Sequence, residues 1–372
     1  MAIQSPFADQ EKAAGATFAE HYGMEVPEDY GDPAGEYGAI RAGVGLLDLS
    51  FRGGIRLTGS ERLRWLNGQI TSEVKDLAAG EGKLAAVLNA KGHILADLAV
   101  YGLSDAVWLD VDRRRAPIVR DAFEHHIIAD DVTVEDVSDR YAHLMLAGPE
   151  VERFMAEAAG IAAADLTAWH HAEVWLGSVS ARIIASRWLA MPAYDVVVPG
   201  DEAGKSWEAL LSLGLGRGVR PVGMAALRCL RVEAGWPWYG VDFDDGNLLM
   251  ESLAADHVSF TKGCYVGQEV VIRIEHQGHV NKRLSGLRLA REAPPPVGAA
   301  ILSGERKVGT VTSAVRSPAL GCAIALGYLR RDWWEPGTKL RILAGEQDLE
   351  AEVVSLPFVS SAGGKAGVGE CP

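Results

Sequence analysis

Three consecutive prolines, Pro294-Pro295-Pro296, most strongly constrain how this chain can fold. Proline fixes φ and has no backbone N–H, so such a run cannot lie inside a helix or a central strand. Residues 297–358 beyond it alternate apolar and polar side chains in short segments, with turn residues such as those of 335–337 between them. This pattern predicts a small C-terminal β-barrel domain.

The long stretch before the prolines, residues 31–285, mixes strand-like and helix-like segments. Residues 84–88 and 94–101 alternate around a turn and predict a β-hairpin, whereas residues 116–126 have the spacing of an amphipathic helix. Hairpins with single helices are typical of the α+β class and not of a βαβ array. Two such cycles follow each other, and they predict two α+β lobes of roughly 31–148 and 149–285.

The two ends of the chain carry weaker patterns. Residues 1–30 predict a loosely ordered lead-in with one helix, and residues 359–372 predict a flexible tail because they are rich in glycine. The N-terminus lacks the apolar run of a secretory signal, and no stretch is long enough to span a bilayer.

The net charge and the cysteines limit which ligands the protein can bind and in which cellular compartment it works. The formal net charge of −14 argues against a nucleic acid or an anionic membrane as a direct ligand. The four cysteines form no CxxC pair and match no zinc spacing, so we expect no metal site and a reduced, cytoplasmic setting. His276 and His279 are three residues apart, but their segment predicts a loop, where solvated histidines are commoner than ligands.

A thiol, an ammonium and a carboxylate lie within residues 262–269. A lone cysteine is more often a small buried hydrophobic residue than a nucleophile. Here the neighbours favour a functional thiol, because a turn at Gly263 and the charge of Lys262 would stabilise the Cys264 thiolate. The β-branched run 270–274 that follows predicts a strand or a short buried segment. The candidate motif residues are Lys262, Gly263, Cys264, Tyr265, Gly267, Gln268 and Glu269.

The motif Lys-Gly-Cys-Tyr-x-Gly-Gln-Glu resembles the signature of the YgfZ-type folate-binding proteins, which are relatives of the glycine cleavage T-protein (aminomethyltransferase) and are implicated in iron–sulfur protein maintenance. The resemblance extends from about Tyr30 to about Phe358. It implies a cloverleaf in which two α+β lobes and a C-terminal β-barrel surround a central folate cavity. The T-protein has no cysteine at the position of Cys264, so this thiol distinguishes the two branches.

The same resemblance implies a set of site residues. Asp97, in the segment 89–98, occupies the position of the T-protein's catalytic aspartate. Asp195 stands where a carboxylate accepts hydrogen bonds from the pterin ring of tetrahydrofolate. Asp112 and Tyr239 are further candidates for binding this cofactor. Each aspartate would otherwise be an ordinary strand-end residue.

Three functions remain open from the sequence. The first is a tetrahydrofolate-binding protein that supports iron–sulfur client proteins through Cys264. The second is a tetrahydrofolate-dependent aminomethyl- or methyl-transferase with Asp97 as its base. The third is a scaffold that keeps the fold without the ligand, because Leu227 stands where the T-protein has an arginine for the folate tail.

Overall fold

The computed structural model describes residues 2–161, 166–253, 255–345 and 347–360. Its helices are α1 (Ala8–Ala13), α2 (Pro33–Ala42), α3 (Arg62–Asn67), α4 (Ala116–His126), α5 (Val151–Ala159), α6 (Ala203–Leu213), α7 (Met224–Glu233), α8 (Leu249–Ser252) and α9 (Gln268–Gln277). Its strands are β1 (Ile3–Gln4), β2 (Thr17–His21), β3 (Met24–Asp29), β4 (Val44–Asp48), β5 (Arg52–Thr58), β6 (Gly82–Leu88), β7 (Ile94–Gly102), β8 (Val107–Asp112), β9 (Thr133–Asp136), β10 (Tyr141–Ala147), β11 (His171–Leu176), β12 (Val179–Ser186), β13 (Ala193–Pro199), β14 (Val219–Pro221), β15 (Lys282–Leu289), β16 (Ala300–Ser303), β17 (Arg306–Ser317), β18 (Cys322–Arg330), β19 (Lys339–Ala344) and β20 (Gln347–Val354).

The N-terminal segment is ordered, contrary to the loose lead-in that we expected. Strands β1, β2 and β3 form a small sheet in the order β1-β3-β2, and α1 precedes the β2–β3 hairpin. Met24 and Val26 of β3 are buried in one core with Ile40 of α2. These apolar contacts with distant residues, which a local pattern does not reveal, order the segment. The predicted tail largely lies outside the described residues.

A five-stranded antiparallel sheet in the order β6-β7-β8-β5-β9 forms the first lobe. The predicted hairpin of β6 and β7 is confirmed. Helix α4 covers one face, where the ring of Phe123 meets that of Trp65 edge to face at 5.3 Å. The other face points toward the second lobe, and Tyr101 and Trp108 pack there against Ile184 and Val197.

The second lobe takes strands from both predicted cycles. Its six-stranded sheet has the order β11-β12-β13-β10-β4-β14, so β4 and β10 do not belong with the first lobe. The boundary that we predicted at residue 148 is therefore wrong. Strand β4 pairs antiparallel with β10 and parallel with β14, and these long-range partners cannot be recognised from alternation along one segment.

The C-terminal part is a closed barrel in the order β15-β18-β17-β16-β19-β20. A barrel after the triple proline was predicted, but the barrel begins earlier, because β15 pairs with both β18 and β20. The prolines lie in the connection between β15 and β16, where no ladder needs their missing N–H groups.

Residues 270–274 form part of helix α9 and not the predicted strand. Gly267 is the N-cap with φ of +80°, and Val271 is buried in one core with Tyr265. Tertiary packing of this face thus outweighs the β preference of the branched side chains. His276 lies on the same helix and is exposed. Among the described residues, no helix has the length and the hydrophobicity that crossing a bilayer requires.

Candidate functional site

A cavity between the two lobes collects aromatic and charged side chains. The empty space among its lining side chains, together with the solvent that adjoins them, amounts to about 510 Å³. Its polar lining comes from Arg52, Asp97, Asp112 and His257. Its aromatic lining is Tyr22, Phe51, Trp188, Trp236, Trp238 and Tyr239. Such a cavity suits a flat ligand with a few polar groups on its edge.

The alternation of the five-stranded sheet places the polar residues on one face. Arg52 of β5 lies opposite Asp112 of β8, and Asp110 lies opposite Ala99 of β7. Asp97 is two residues before Ala99, so it shares this face because side chains along a strand repeat every second residue.

Asp97 is the least engaged of these carboxylates. It is partly exposed to the cavity and accepts no hydrogen bond from another described side chain or from another residue's backbone. Burial raises the pKa of Asp97, and the guanidinium of Arg52 and the imidazole of His257, when protonated, oppose that rise. A carboxylate with a raised pKa, whose oxygens have no hydrogen-bond donor from the protein, can accept a proton from a bound ligand.

Asp112 and Tyr239 also line the cavity, but Asp112 is already engaged. Its Oδ1 accepts hydrogen bonds from the backbone N–H and the Nε of Arg114, at 2.8 and 3.0 Å. Arg114 also donates to the carbonyl oxygen of Tyr239 at 3.2 Å. The guanidinium of Arg115 lies 4.6 Å from the centre of the Tyr239 ring. These contacts hold the cavity wall in place, and they leave few hydrogen-bonding groups of Asp112 free for a ligand.

Arg52 is a site residue that the sequence reasoning missed. Its Nε donates to Asp110 Oδ1 at 2.9 Å, and its guanidinium stacks on the Trp188 ring at 4.7 Å. Its side chain is only 11% exposed. Its place on the cavity face follows from the pairing of β5 with β8, which a pattern along one strand does not show.

His257 was missed as well. It is buried, its Nδ1 lies 2.9 Å from Asp256 Oδ1, and its ring lies 6.0 Å from that of Trp236. The hydrogen bond with His257 lowers the pKa of Asp256. The hydroxyl of Thr71 donates to the backbone carbonyl of His257. Its segment has no periodic pattern, so only the contacts identify it.

Asp195 does not line this cavity, although the resemblance assigned it to the ligand. It lies in the middle of β13, between Met145 of β10 and Ile184 of β12. It is buried, its Oδ1 has no hydrogen-bond partner, and burial raises its pKa well above the ordinary value. Asp195 shares the face of β13 with Val197, which packs against the first lobe. It is therefore covered by the contact between the lobes, and alternation along one strand does not show how far such a contact extends.

Lys262 has a different role from the one that the motif suggested. It is buried, and its Nζ donates to the carbonyl oxygens of Asn67, Ile70 and Ser72 at 2.6, 2.8 and 2.7 Å. Burial lowers the pKa of Lys262 to about 8. Its three donors thus hold the loop after α3 and are not directed to the thiol.

Cys264 is exposed and does not line the cavity that contains Asp97. Gly263 does not adopt the positive φ that the predicted turn required, whereas Gly267 does. Tyr265 is buried, Gln268 is half-buried and Glu269 is exposed at the start of α9. The structure therefore does not place the motif thiol in the wall of the cavity that contains Asp97.

Metal ligands are not grouped in the part of the chain that the structure describes. No three side chains of the histidine, cysteine, aspartate or glutamate type are arranged there to hold an ion.

The sequence matches two family models and aligns with aminomethyltransferases over most of its length. Residues 7–262 match the GCVT N-terminal domain, and residues 282–360 match the glycine cleavage T-protein C-terminal barrel domain. The aminomethyltransferase of Saccharopolyspora erythraea is 30% identical over 95% of this chain and 97% of its own length. That of Halothermothrix orenii is 28% identical over 96% and 99%.

A solved structure agrees at the level of the fold. The glycine cleavage system aminomethyltransferase T from Bartonella henselae superposes with a TM-score of 0.89 and 24% identity, covering 97% of this chain and 99% of that one.

Proposed function

Because this chain belongs to the glycine cleavage T-protein family, we propose that it binds tetrahydrofolate in the cavity between its lobes and transfers a one-carbon group to it, with Asp97 as the general base. The chain has the T-protein fold, with α+β lobes and a closed six-stranded barrel. The observation that supports the proposal most directly is the open carboxylate of Asp97 in a cavity lined by aromatic rings.

The residues present suit a pterin. Trp188, Trp236 and Trp238 offer flat apolar surfaces, and Tyr239 closes one wall. Asp97 offers an acceptor to a ring N–H. When bound, tetrahydrofolate would supply the ring nitrogens that accept the one-carbon unit.

The protein's own contribution is proton transfer and exclusion of water. A raised pKa brings Asp97 closer to the working pH, where a general base combines availability with driving force. Arg52 and His257 limit that rise, so the carboxylate stays ionised over more of the pH range. The surrounding aromatic side chains keep bulk water from competing for its oxygens.

A second candidate function keeps the folate site and adds a role for Cys264, as in the YgfZ-type branch. The observation in its favour is the exposure of this thiol, which leaves it accessible to an iron–sulfur partner protein. It ranks below the transferase proposal because Cys264 does not line the cavity that contains Asp97, and because the relatives above are named aminomethyltransferases.

Calorimetric titration of the purified chain with tetrahydrofolate tests the ligand. We expect saturable binding, and we expect Asp97→Asn to bind more weakly by about 1.5–3 kcal/mol because a charge-assisted hydrogen bond is lost. Absence of binding at millimolar tetrahydrofolate would refute the proposal and leave the scaffold hypothesis.

A further inference from the structure

Arg52 and Asp97 present unsatisfied groups of opposite type to the same cavity. The Nε of Arg52 is used by Asp110, but neither Nη1 nor Nη2 has a hydrogen-bond partner among the described residues. Asp97 likewise accepts no hydrogen bond from another described residue. Groups that are left unpaired in a shielded cavity are costly unless a ligand or water satisfies them.

The two side chains are near each other but do not close into an ion pair. Each perturbs the charge of the other, yet every distance between a guanidinium nitrogen of Arg52 and a carboxylate oxygen of Asp97 exceeds 4.0 Å. Two contacts hold Arg52 in this position. One is its hydrogen bond to Asp110, and the other is its stack on Trp188 at 4.7 Å. A donor that its neighbours hold in place therefore lies near an unpaired acceptor, with more than 4.0 Å between their charged atoms.

We propose that Arg52 and Asp97 together recognise an edge of the ligand on which a carbonyl oxygen adjoins a ring N–H. The guanidinium of Arg52 donates to the carbonyl oxygen, and the carboxylate of Asp97 accepts from the N–H on the same edge, at the ring nitrogen for which it serves as general base. Asp112 does not replace Asp97 here, because Arg114 already occupies it.

This inference rests on the proposed function and specifies its ligand class. A 4-oxo pteridine such as tetrahydrofolate has a carbonyl beside ring N–H groups, whereas a 2,4-diamino analogue has an amino group in place of that carbonyl. The guanidinium of arginine has only hydrogen-bond donors. The amino group of the analogue is also a donor, so the hydrogen bond to Arg52 would be lost. A site built around such a hydrogen bond discriminates strongly against a ligand that lacks the acceptor.

The experiment is a titration of the full chain with tetrahydrofolate and with its 2,4-diamino analogue, comparing wild type with Arg52→Met. We expect wild type to prefer tetrahydrofolate by roughly 10- to 100-fold, the worth of one hydrogen bond to a charged group. Arg52→Met should bind tetrahydrofolate more weakly by a similar factor and should lose the preference.

Arg182→Met is the matched control. Arg182 is also 11% exposed, also pairs with one carboxylate, that of Glu173, and also stacks on a tryptophan, Trp108, but it does not line the cavity. It should keep both the affinity and the preference of wild type. Loss of the preference in Arg182→Met as well would overturn the inference, because the effect would then not be specific to the cavity.

Arg52→Lys covers the case in which Arg52→Met does not fold. Lysine keeps the charge but lacks the planar fork that can serve Asp110 and a ligand at once, so we expect the preference to fall while the midpoint of thermal unfolding stays near that of wild type. An unchanged preference in a folded Arg52 variant would overturn the inference while folate binding stood. If wild type bound neither pteridine, the proposed function itself would fail.

Discussion

Replacing Lys262 by methionine should destabilise the protein by about 3 kcal/mol. The ammonium donates three hydrogen bonds to backbone carbonyls, and each acceptor left without its donor costs about 2 kcal/mol, or roughly 6 in total. The substitution also removes a cost. A pKa lowered by burial from 10.5 to about 8 corresponds to roughly 3 kcal/mol of unfavourable desolvation. The difference of roughly 3 kcal/mol remains as net loss.

Urea unfolding of Lys262→Met measures this loss in the free energy of unfolding, and Lys83→Met is the matched control. Lys83 also donates to a backbone carbonyl, that of Glu73 at 2.8 Å, but it is exposed. Its replacement should change the unfolding free energy by less than about 0.5 kcal/mol. Equal losses in the two variants would refute the view that Lys262 holds the loop after α3. Because Thr71 of that loop contacts His257, we also expect weaker tetrahydrofolate binding by Lys262→Met.

Three further predictions concern stability and reactivity. Burial and the neighbouring carboxylate of Asp48 raise the pKa of Glu11 from 4.5 to about 10, so the unfolding free energy of wild type should fall as the pH rises through this window, by up to about 1.4 kcal/mol per pH unit. Glu11→Gln should reduce this slope and be more stable than wild type at pH 8, while the buried carboxyl of Asp48, whose pKa burial also raises, keeps part of the dependence. The same slope in both proteins, measured by unfolding at several pH values, would contradict the prediction. Gly267→Ala should lower the unfolding midpoint strongly, because φ is +80° and the new Cβ would lie 2.6 Å from the carbonyl oxygen of Asn89, whereas Gly263→Ala, with open space, should be nearly neutral. Cys264 should react with iodoacetamide in the folded protein and buried Cys229 should not, as peptide mass mapping can show; protection of Cys264 would argue that this turn is covered.

The sequence sufficed for the fold class and for three of the residues that line the candidate cavity, Asp97, Asp112 and Tyr239. What it missed depends on contacts between residues far apart in the chain. Alternation within one segment identified the hairpin of β6 and β7, and the family resemblance supplied Asp97 and Asp112, which line the cavity. It did not identify the partners of β4, which come from residues about a hundred or more positions later.

The motif of residues 262–269 shows the same limit. Its polar residues were interpreted as the surroundings of a reactive thiol. The carbonyls that Lys262 contacts lie 190–195 positions earlier in the chain, so no local pattern reveals that its charge is already used. Arg52 and His257 likewise became visible only when the strands were paired and the cavity was closed.

The most direct test is the rate of one-carbon transfer to tetrahydrofolate from an aminomethylated carrier protein, measured side by side for wild type, Asp97→Asn and Cys264→Ser. General base catalysis contributes about 10²- to 10⁴-fold, so Asp97→Asn should lose at least about 100-fold. Cys264→Ser should retain the wild-type rate, because Cys264 does not line the cavity. A wild-type rate in Asp97→Asn, or a rate that depends on Cys264 instead, would contradict the assignment of transfer to the cavity between the lobes.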